Sequence, residues 1–241
     1  MSGGAYSALS GMRARLEDLD RLASDLANIG TSGYKTERGA SVAAERPSFG
    51  AALDAAIDVT GGGTKLDFRP GTIGSTGRDL DAAIEGPGFF VIRTPAGDRY
   101  TRNGGFVRRT DGVLTTADGS PVVGTSGQEI RIGKGAVTIA EDGTVRVGEV
   151  TAGQLKLVAF TDERDLVRES GARFNAAPGA VPSPAATARV VGGSLEQANV
   201  SMVDRMASLT DVQRTFEALQ RGVSVLLNDI DGRAIVELGR R

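Results

Sequence analysis

Three carboxylates stand close together in the sequence, at Asp79, Asp81 and Glu85. Two carboxylates flanking a sugar linkage are the machinery of glycoside hydrolysis, one as acid and one as base or nucleophile. Asp79 and Asp81, however, alternate with Leu80, the pattern of a polar face on a strand or turn. No acid–base pair with separated roles can be argued from them. Gly61-Gly62-Gly63-Thr64-Lys65 has the glycines and the lysine of a phosphate loop. It lacks the Gly-x-x-x-x-Gly-Lys-Ser/Thr spacing and no strand precedes it, so it reads as a flexible connector. Gly133-Lys134-Gly135 reads as a turn. The chain contains no His and no Cys. That removes Ser-His-Asp and Cys-His catalysis, and zinc sites built on thiolate or imidazole. The sequence predicts no enzyme, no metal site and no cofactor.

The bulk properties narrow the field further. The formal net charge of −2 over 241 residues gives no basic excess for gripping phosphates, so nucleic acid is not an expected partner. No apolar run approaches the roughly 20 residues of a membrane-spanning helix, so no direct membrane insertion is expected. The N-terminus, Met1-Ser2-Gly3-Gly4-Ala5-Tyr6, has no charged segment followed by an apolar one, so no Sec-type signal is expected there. Hydrophobic residues make up 40% and aromatics 5%, which predicts an aliphatic core.

Stepping along the chain, the apolar period changes twice. In the first zone Ala5, Leu9, Met12, Leu16, Leu19, Ala23 and Leu26 follow alternating steps of four and three. That is a heptad seam on one helix face. The helix is expected to stop near Gly30, with Gly33 reinforcing the break. In the last zone Leu209, Val212, Phe216, Leu219, Val223, Leu226 and Ile230 repeat the same alternation, with Met202 and Met206 extending it. Asn199 or Ser201 is the expected N-cap. Gly222 marks either a weak point in this helix or the close approach of a neighbouring backbone.

Between the helices the period is that of strands. Phe89-Phe90-Val91-Ile92, Gly105-Phe106-Val107, Val113-Leu114-Thr115, Glu129-Ile130-Arg131-Ile132 and Leu155 to Phe160 are short β-type runs. Asp111-Gly112, Asp118-Gly119 and Asp142-Gly143 separate them as turns. The last lies between Val137-Thr138-Ile139 and Val145-Arg146-Val147, a hairpin signal. Evenly spaced short strands argue for an all-β domain. The predicted fold is therefore mixed: an all-β centre flanked by N- and C-terminal helices that pair in a coiled-coil-like inner domain. The expected divisions are an N-terminal helical segment 1–35, an extended connector 36–75, a β-rich outer domain 76–192 and a C-terminal helix 193–241. A single helix pair leaves much of each seam half exposed, and further copies of the same seam would bury it better. The ends are accordingly expected to be disordered in the monomer and to fold on assembly.

Several stretches carry a resemblance. Ser24-Asp25-Leu26-Ala27-Asn28-Ile29-Gly30-Thr31-Ser32-Gly33-Tyr34-Lys35 resembles the signature of flagellar rod and hook proteins. In it Leu26, Ala27 and Asn28 close a helix, and Gly33, Tyr34 and Lys35 follow a small-residue turn. Gly30 stands where that family usually has Asn. Arg78 to Phe90 looks like the family's approach to its β domain. Tyr100 to Phe106, Asp111 to Leu114 and Asp118 to Gly124 look like its next hairpin region. Gly193-Ser194-Leu195-Glu196-Gln197-Ala198-Asn199-Val200 resembles the start of its C-terminal helix, and Gln213-Arg214 with Phe216-Glu217 fits that helix's middle. The matches span nearly the whole chain in order.

The resemblance implies a structural subunit of the flagellar basal-body rod, polymerised helically into a shaft that crosses the periplasm and transmits torque from motor to hook. Its implied partners are copies of itself, other rod and hook proteins, and the flagellar type III export apparatus. The modest length and the short 36–65 segment favour a proximal-rod over a distal-rod position. A secreted coiled-coil adhesin or a phage-tail-like module is the alternative from another class.

Overall fold

The computed structural model describes residues 2–39 and 64–238, with the backbone alone given for 2–10, 64 and 226–238. Two helices, α1 (Ser2–Ala27) and α2 (Met202–Leu238), bracket the strands. The fold is thus mixed, as expected. Among the described residues two compact units form. One gathers 2–27, 37–39, 64–65 and 201–238, and the other gathers 28–36 and 66–200.

In the first unit α1 and α2 lie against each other. The α1 helix ends one turn before Gly30, where the Thr31 amide donates to the Asn28 carbonyl at 2.9 Å. Gly30 itself does not adopt a positive φ, so this turn requires neither Gly nor Asn there. Ser201 is the N-cap of α2: its Oγ accepts from the Asp204 amide at 3.4 Å, relieving one of the orphan donors of the first turn. Among the described residues nothing lies within 4 Å of a Cβ built at Gly222, so no described backbone approaches it. On α1 the glycine beside the partner helix is Gly11, where a Cβ would stand in ordinary contact, 3.7 Å from Leu219 Cδ1. Two short strands, Glu37–Gly39 and Thr64–Leu66, pair as a ribbon. Gly61-Gly62-Gly63 lies outside the described residues.

The β unit is organised around the Phe89–Thr94 strand. Its run Phe89-Phe90-Val91-Ile92 lacks polar alternation because both faces of the strand are buried. Phe90 and Ile92 enter one core with Ala82, Ile84, Phe106, Leu114, Val122, Val145, Leu155 and Val190. Phe89 and Val91 enter a second with Phe68, Tyr100, Phe160 and Phe174. The first core is largely aliphatic, as the composition predicts. The second is not: it collects the scarce rings into edge-to-face contacts, with centroids 4.8 Å apart for Tyr100 and Phe160 and 5.2 Å for Phe68 and Phe174. Five aromatic side chains of large buried area build a core that a 5% composition conceals.

The strand lies within a six-stranded antiparallel sheet in the order Leu166–Ser170, Arg173–Ala176, Gly97–Thr101, Phe89–Thr94, Leu157–Ala159, Ser183–Pro184. The hairpin predicted at Asp142-Gly143 is present, with Val145 opposite Ile139 and Val147 opposite Val137. Glu129 to Ile132 does not form a regular strand; it joins by bridges from Glu129 to Val123 and from Arg131 to Val113. Two-stranded pairs close the unit: Ala82–Glu85 with Arg189–Gly192, and Ile73–Ser75 with Ser194–Glu196.

The three Asp-Gly turns use the aspartate as an acceptor. Asp142 takes the Thr144 amide at 2.9 Å and its hydroxyl at 2.8 Å, which holds its pKa below the usual carboxylate value. The Arg109 guanidinium, with help from the Val113 amide, lowers Asp111 from 3.8 to about 2. At Asp118 burial pushes upward, but the Thr116 and Ser120 hydroxyls and Arg173 outweigh it. A carboxylate with a depressed native pKa contributes stability above its unfolded pKa and loses it as pH falls through the native one. The melting temperature of the β unit is therefore expected to decline between about pH 4 and 2 from these turns. An Asp111→Asn/Asp118→Asn/Asp142→Asn chain, melted across the same range, should show a shallower decline. An unchanged slope would assign the acid sensitivity to other groups.

Candidate functional site

The carboxylates singled out for catalysis are not gathered for it. Asp79 is exposed in a turn and Glu85 is exposed at the end of its strand. Asp81 is fully buried, contrary to its expected place on a polar face. Its Oδ2 accepts the Thr76 hydroxyl at 2.6 Å, its carbonyl accepts the Gly193 amide at 2.8 Å, and Arg78 approaches its Oδ1 at 3.5 Å. Those contacts tie the 76–81 loop to the turn at Gly193 and leave no open face for a substrate. Thr64 and Lys65 lie in the ribbon strand, and Lys134 sits exposed on a bend.

What the fold gathers instead is the signature sequences. Gly33 donates its amide to the Glu196 carbonyl at 2.8 Å, and Asn199 donates to the Tyr34 carbonyl at 3.3 Å. The Asn199 side chain completes the join. Its Oδ1 accepts the Thr36 amide at 2.8 Å, and its Nδ2 donates to the Asp67 carbonyl at 2.7 Å. Residues 33–36 and 196–199 thus run beside each other within the β unit. Asn199, one of the two expected helix caps, serves this junction, and Ser201 caps the helix.

Beneath the junction lies a buried ionic node. Lys35 and Glu196 are both inaccessible to solvent, with Nζ 2.5 Å from Oε1. Lys35 Nζ also donates to the Arg69 carbonyl at 2.9 Å, and the Gly71 amide donates to Glu196 Oε1 at 2.9 Å. Arg102 Nη1 reaches Glu196 Oε2 at 3.0 Å, while Nη2 donates to the Gly86 carbonyl at 2.7 Å. Burial pushes the Lys35 pKa below the usual ammonium value; Glu196 opposes this and Arg102 adds to it. Arg168 closes the outside, its guanidinium 4.3 Å over the Tyr34 ring and its Nη2 donating to the Lys35 carbonyl.

Of the motif residues, Gly33, Tyr34 and Lys35 are in the junction. Leu26 and Ala27 end α1, and Asn28 accepts the Thr31 amide in the turn that follows. Sequence reasoning missed Arg102, Arg168 and the role of Glu196. Glu196 lies 161 residues from Lys35, and no local pattern reports a pairing at that distance.

The helix seams divide differently. The face of α1 toward α2 carries Gly11, Asp18, Leu22 and Asp25. Asp25 meets Arg205 Nε at 3.4 Å, and Asp18, Leu22 and Asp25 line a cleft shared with Arg205 and Val212. On α2 the matching positions are Arg205, Val212 and Leu219. Of the predicted α1 stripe, Met12, Leu19 and Leu26 are half-buried, and Leu16 is 48% exposed. Of the predicted α2 stripe, Leu209, Val212, Phe216, Leu219 and Val223 are half-buried. The side chains of Leu9 and Leu226 lie outside the described residues. Residues 11, 18 and 25 precede the stripe positions 12, 19 and 26 by one, so the leucine stripe is rotated by about 100° from the face on α2.

Comparison with known proteins adds the following. Residues 83–147 match the flagellar hook protein FlgE/F/G D1 domain, and residues 191–226 match the flagellar basal body rod FlgEFG protein C-terminal family. The chain is 31% identical over 226 residues to the flagellar basal-body rod protein FlgF of Caulobacter vibrioides, covering 92% of each. It is 33% identical over 249 residues to the FlgF of Escherichia coli, covering 97% of each. It is 32% identical over 243 residues to the flagellar basal-body rod protein FlgG of Bacillus subtilis, covering 88% of this chain and 90% of that one.

Proposed function

The chain belongs to the flagellar basal-body rod protein family, and on that premise we propose that copies of it join through the leucine stripe of α1. It is a structural, non-enzymatic subunit of the basal-body rod, and it assembles there with other rod and hook proteins. The observation that carries the assembly reading is the rotation of the stripe. The chain's own helix contact uses Gly11, Leu22 and two aspartates, and Leu16 is left half in water. A further copy laid on the stripe would take Leu16, and the exposed parts of Met12 and Leu19, out of water. Successive head-to-tail contacts that do not close generate a helical filament, which suits a shaft that carries torque.

On this reading the helices within the segments 1–35 and 193–241, α1 and α2, form coiled-coil-like pairs within the assembly, and they order fully only there. The β-rich segment 76–192 is the outer body and 36–75 the connector. The subunit reaches the rod through the flagellar type III export apparatus. A proximal position in the rod is favoured by the modest length and the short connector.

Quantitative mass spectrometry of purified hook–basal bodies tests the reading. The chain is expected at a fixed ratio to the hook subunit, and a few copies per hook base would mark the short proximal segment. Absence from intact basal bodies would sink the rod assignment and turn attention to a secreted module.

A further inference from the structure

The join between residues 33–36 and 196–199 is too short to set its own register. A regular ladder fixes register through many repeated bonds and through side chains that alternate between core and solvent. Among the described residues, the backbone hydrogen bonds between the two crossings are Gly33–Glu196 and Tyr34–Asn199. Something else must specify that Lys35, and not Tyr34 or Thr36, lies over Glu196.

Glu196 is suited to that task. Its carboxylate has no solvent access, so it must be compensated from within the protein. Its donors come from three separate parts of the chain: Lys35 before the β unit's strands, Gly71 in the connector, and Arg102 on the central hairpin. The two charged donors are anchored independently of Glu196. Lys35 also bonds the Arg69 carbonyl, and Arg102 bonds the Ile84 and Gly86 carbonyls with its guanidinium 5.5 Å over the Phe89 ring. A slip of one residue along the crossing would bury Glu196 without its lysine and carry the Tyr34 ring out from under Arg168. Buried polar contacts that specify register at some cost in stability are known from helical assemblies.

We propose that Lys35 and Glu196 are positioning residues: their buried pair registers the N-terminal crossing against the C-terminal one within the β unit. The Arg102–Glu196 contact belongs to the core of the unit and the Lys35–Glu196 contact to the crossing. Lys35 is fully buried and lies outside the helix seams. It rests on the helices being the assembly device only for its importance to the rod, not for its test.

Hydrogen exchange on the purified full-length Lys35→Met chain tests it, with Lys35→Arg as the charge-preserving companion. Met keeps most of the apolar stem and leaves Glu196 paired with Arg102. The amides of Gly33, Thr36 and Asn199 are expected to exchange at least tenfold faster in Lys35→Met. Those of the Phe89–Thr94 strand should keep their wild-type rates, and Lys35→Arg should restore much of the lost protection. Exchange within twofold of wild type at all three amides would overturn the proposal, because the crossing would then hold without the pair. Loss of protection throughout the β unit would also overturn it, because the pair would then be holding the core. No assembly step enters the measurement, so either failure leaves membership of the rod untouched, and absence from basal bodies would leave this result standing.

Discussion

A Leu16→Asp chain is expected to fold as a monomer with its melting temperature close to that of the parent, and to leave cells unable to build a rod. The two halves of this expectation come from one fact. Leu16 is 48% exposed in the single chain, so its side chain contributes little to the monomer's own packing. Substitutions at such sites usually change stability by less than about 0.5 kcal/mol. The new carboxylate would sit four residues from Asp20, a repulsion of a few tenths of a kcal/mol on a helix surface. In an assembled seam the same carboxylate would face apolar side chains of another copy without a partner. Burial of an unpaired charge costs several kcal/mol even after relaxation, and it would recur at each subunit added. Leu22→Asp supplies the contrast, since Leu22 is buried against the chain's own α2 cleft and its loss should loosen the monomer itself. Thermal melts of both purified variants, and swimming and basal-body content of the corresponding strains, read the two effects separately. Normal swimming with Leu16→Asp would remove the leucine stripe from the assembly interface.

The contrast between Leu16 and Leu22 also shows how far the sequence could be read. A heptad of apolar residues announces a helix and an apolar stripe. It does not say which chain covers the stripe. Within this chain, α1 turns a face of Gly11, Asp18, Leu22 and Asp25 to α2, a set that hydrophobic patterning discards because it is mostly polar. Its contact includes the Asp25–Arg205 ion pair, which has no period to detect. The β unit was legible where turn chemistry is local, as at Asp142-Gly143, and where aromatic and β-branched residues run together, as at Phe89 to Ile92. It was not legible where a segment is held by isolated bridges, as at Glu129 to Ile132, or where a ring cluster is assembled from Phe68, Phe89, Tyr100, Phe160 and Phe174. The signature residues were recognisable as a pattern, but the pattern did not reveal its physics. Lys35 has a meaning only beside Glu196 and Arg102, and that meeting is made by the fold.

Gly33→Ala is expected to be among the most damaging single-methyl substitutions in the β unit, costing about 3 kcal/mol or more. Gly33 has φ +69°, a left-handed conformation that a Cβ disfavours by about 1–2 kcal/mol. The larger part is steric. A Cβ there would stand 2.3 Å from the Arg102 carbonyl carbon and 2.4 Å from the Asn103 nitrogen. Both are backbone atoms of the hairpin that carries Arg102, so no rotamer change relieves the contact, and either the crossing or the hairpin must shift. Gly77 provides an internal control. It has the same φ of +69°, yet nothing lies within 4 Å of its would-be Cβ. Gly77→Ala should therefore cost only the conformational part, about 1–2 kcal/mol. Denaturant unfolding of the two variants isolates the close approach, because the backbone term is common to both. A difference of about 1 kcal/mol or more, with Gly33→Ala the weaker chain, is the expected result. Equal losses would mean that the crossing yields freely at Gly33, and that the signature glycine is there for its turn alone and not to let the N-terminal crossing lie against the hairpin.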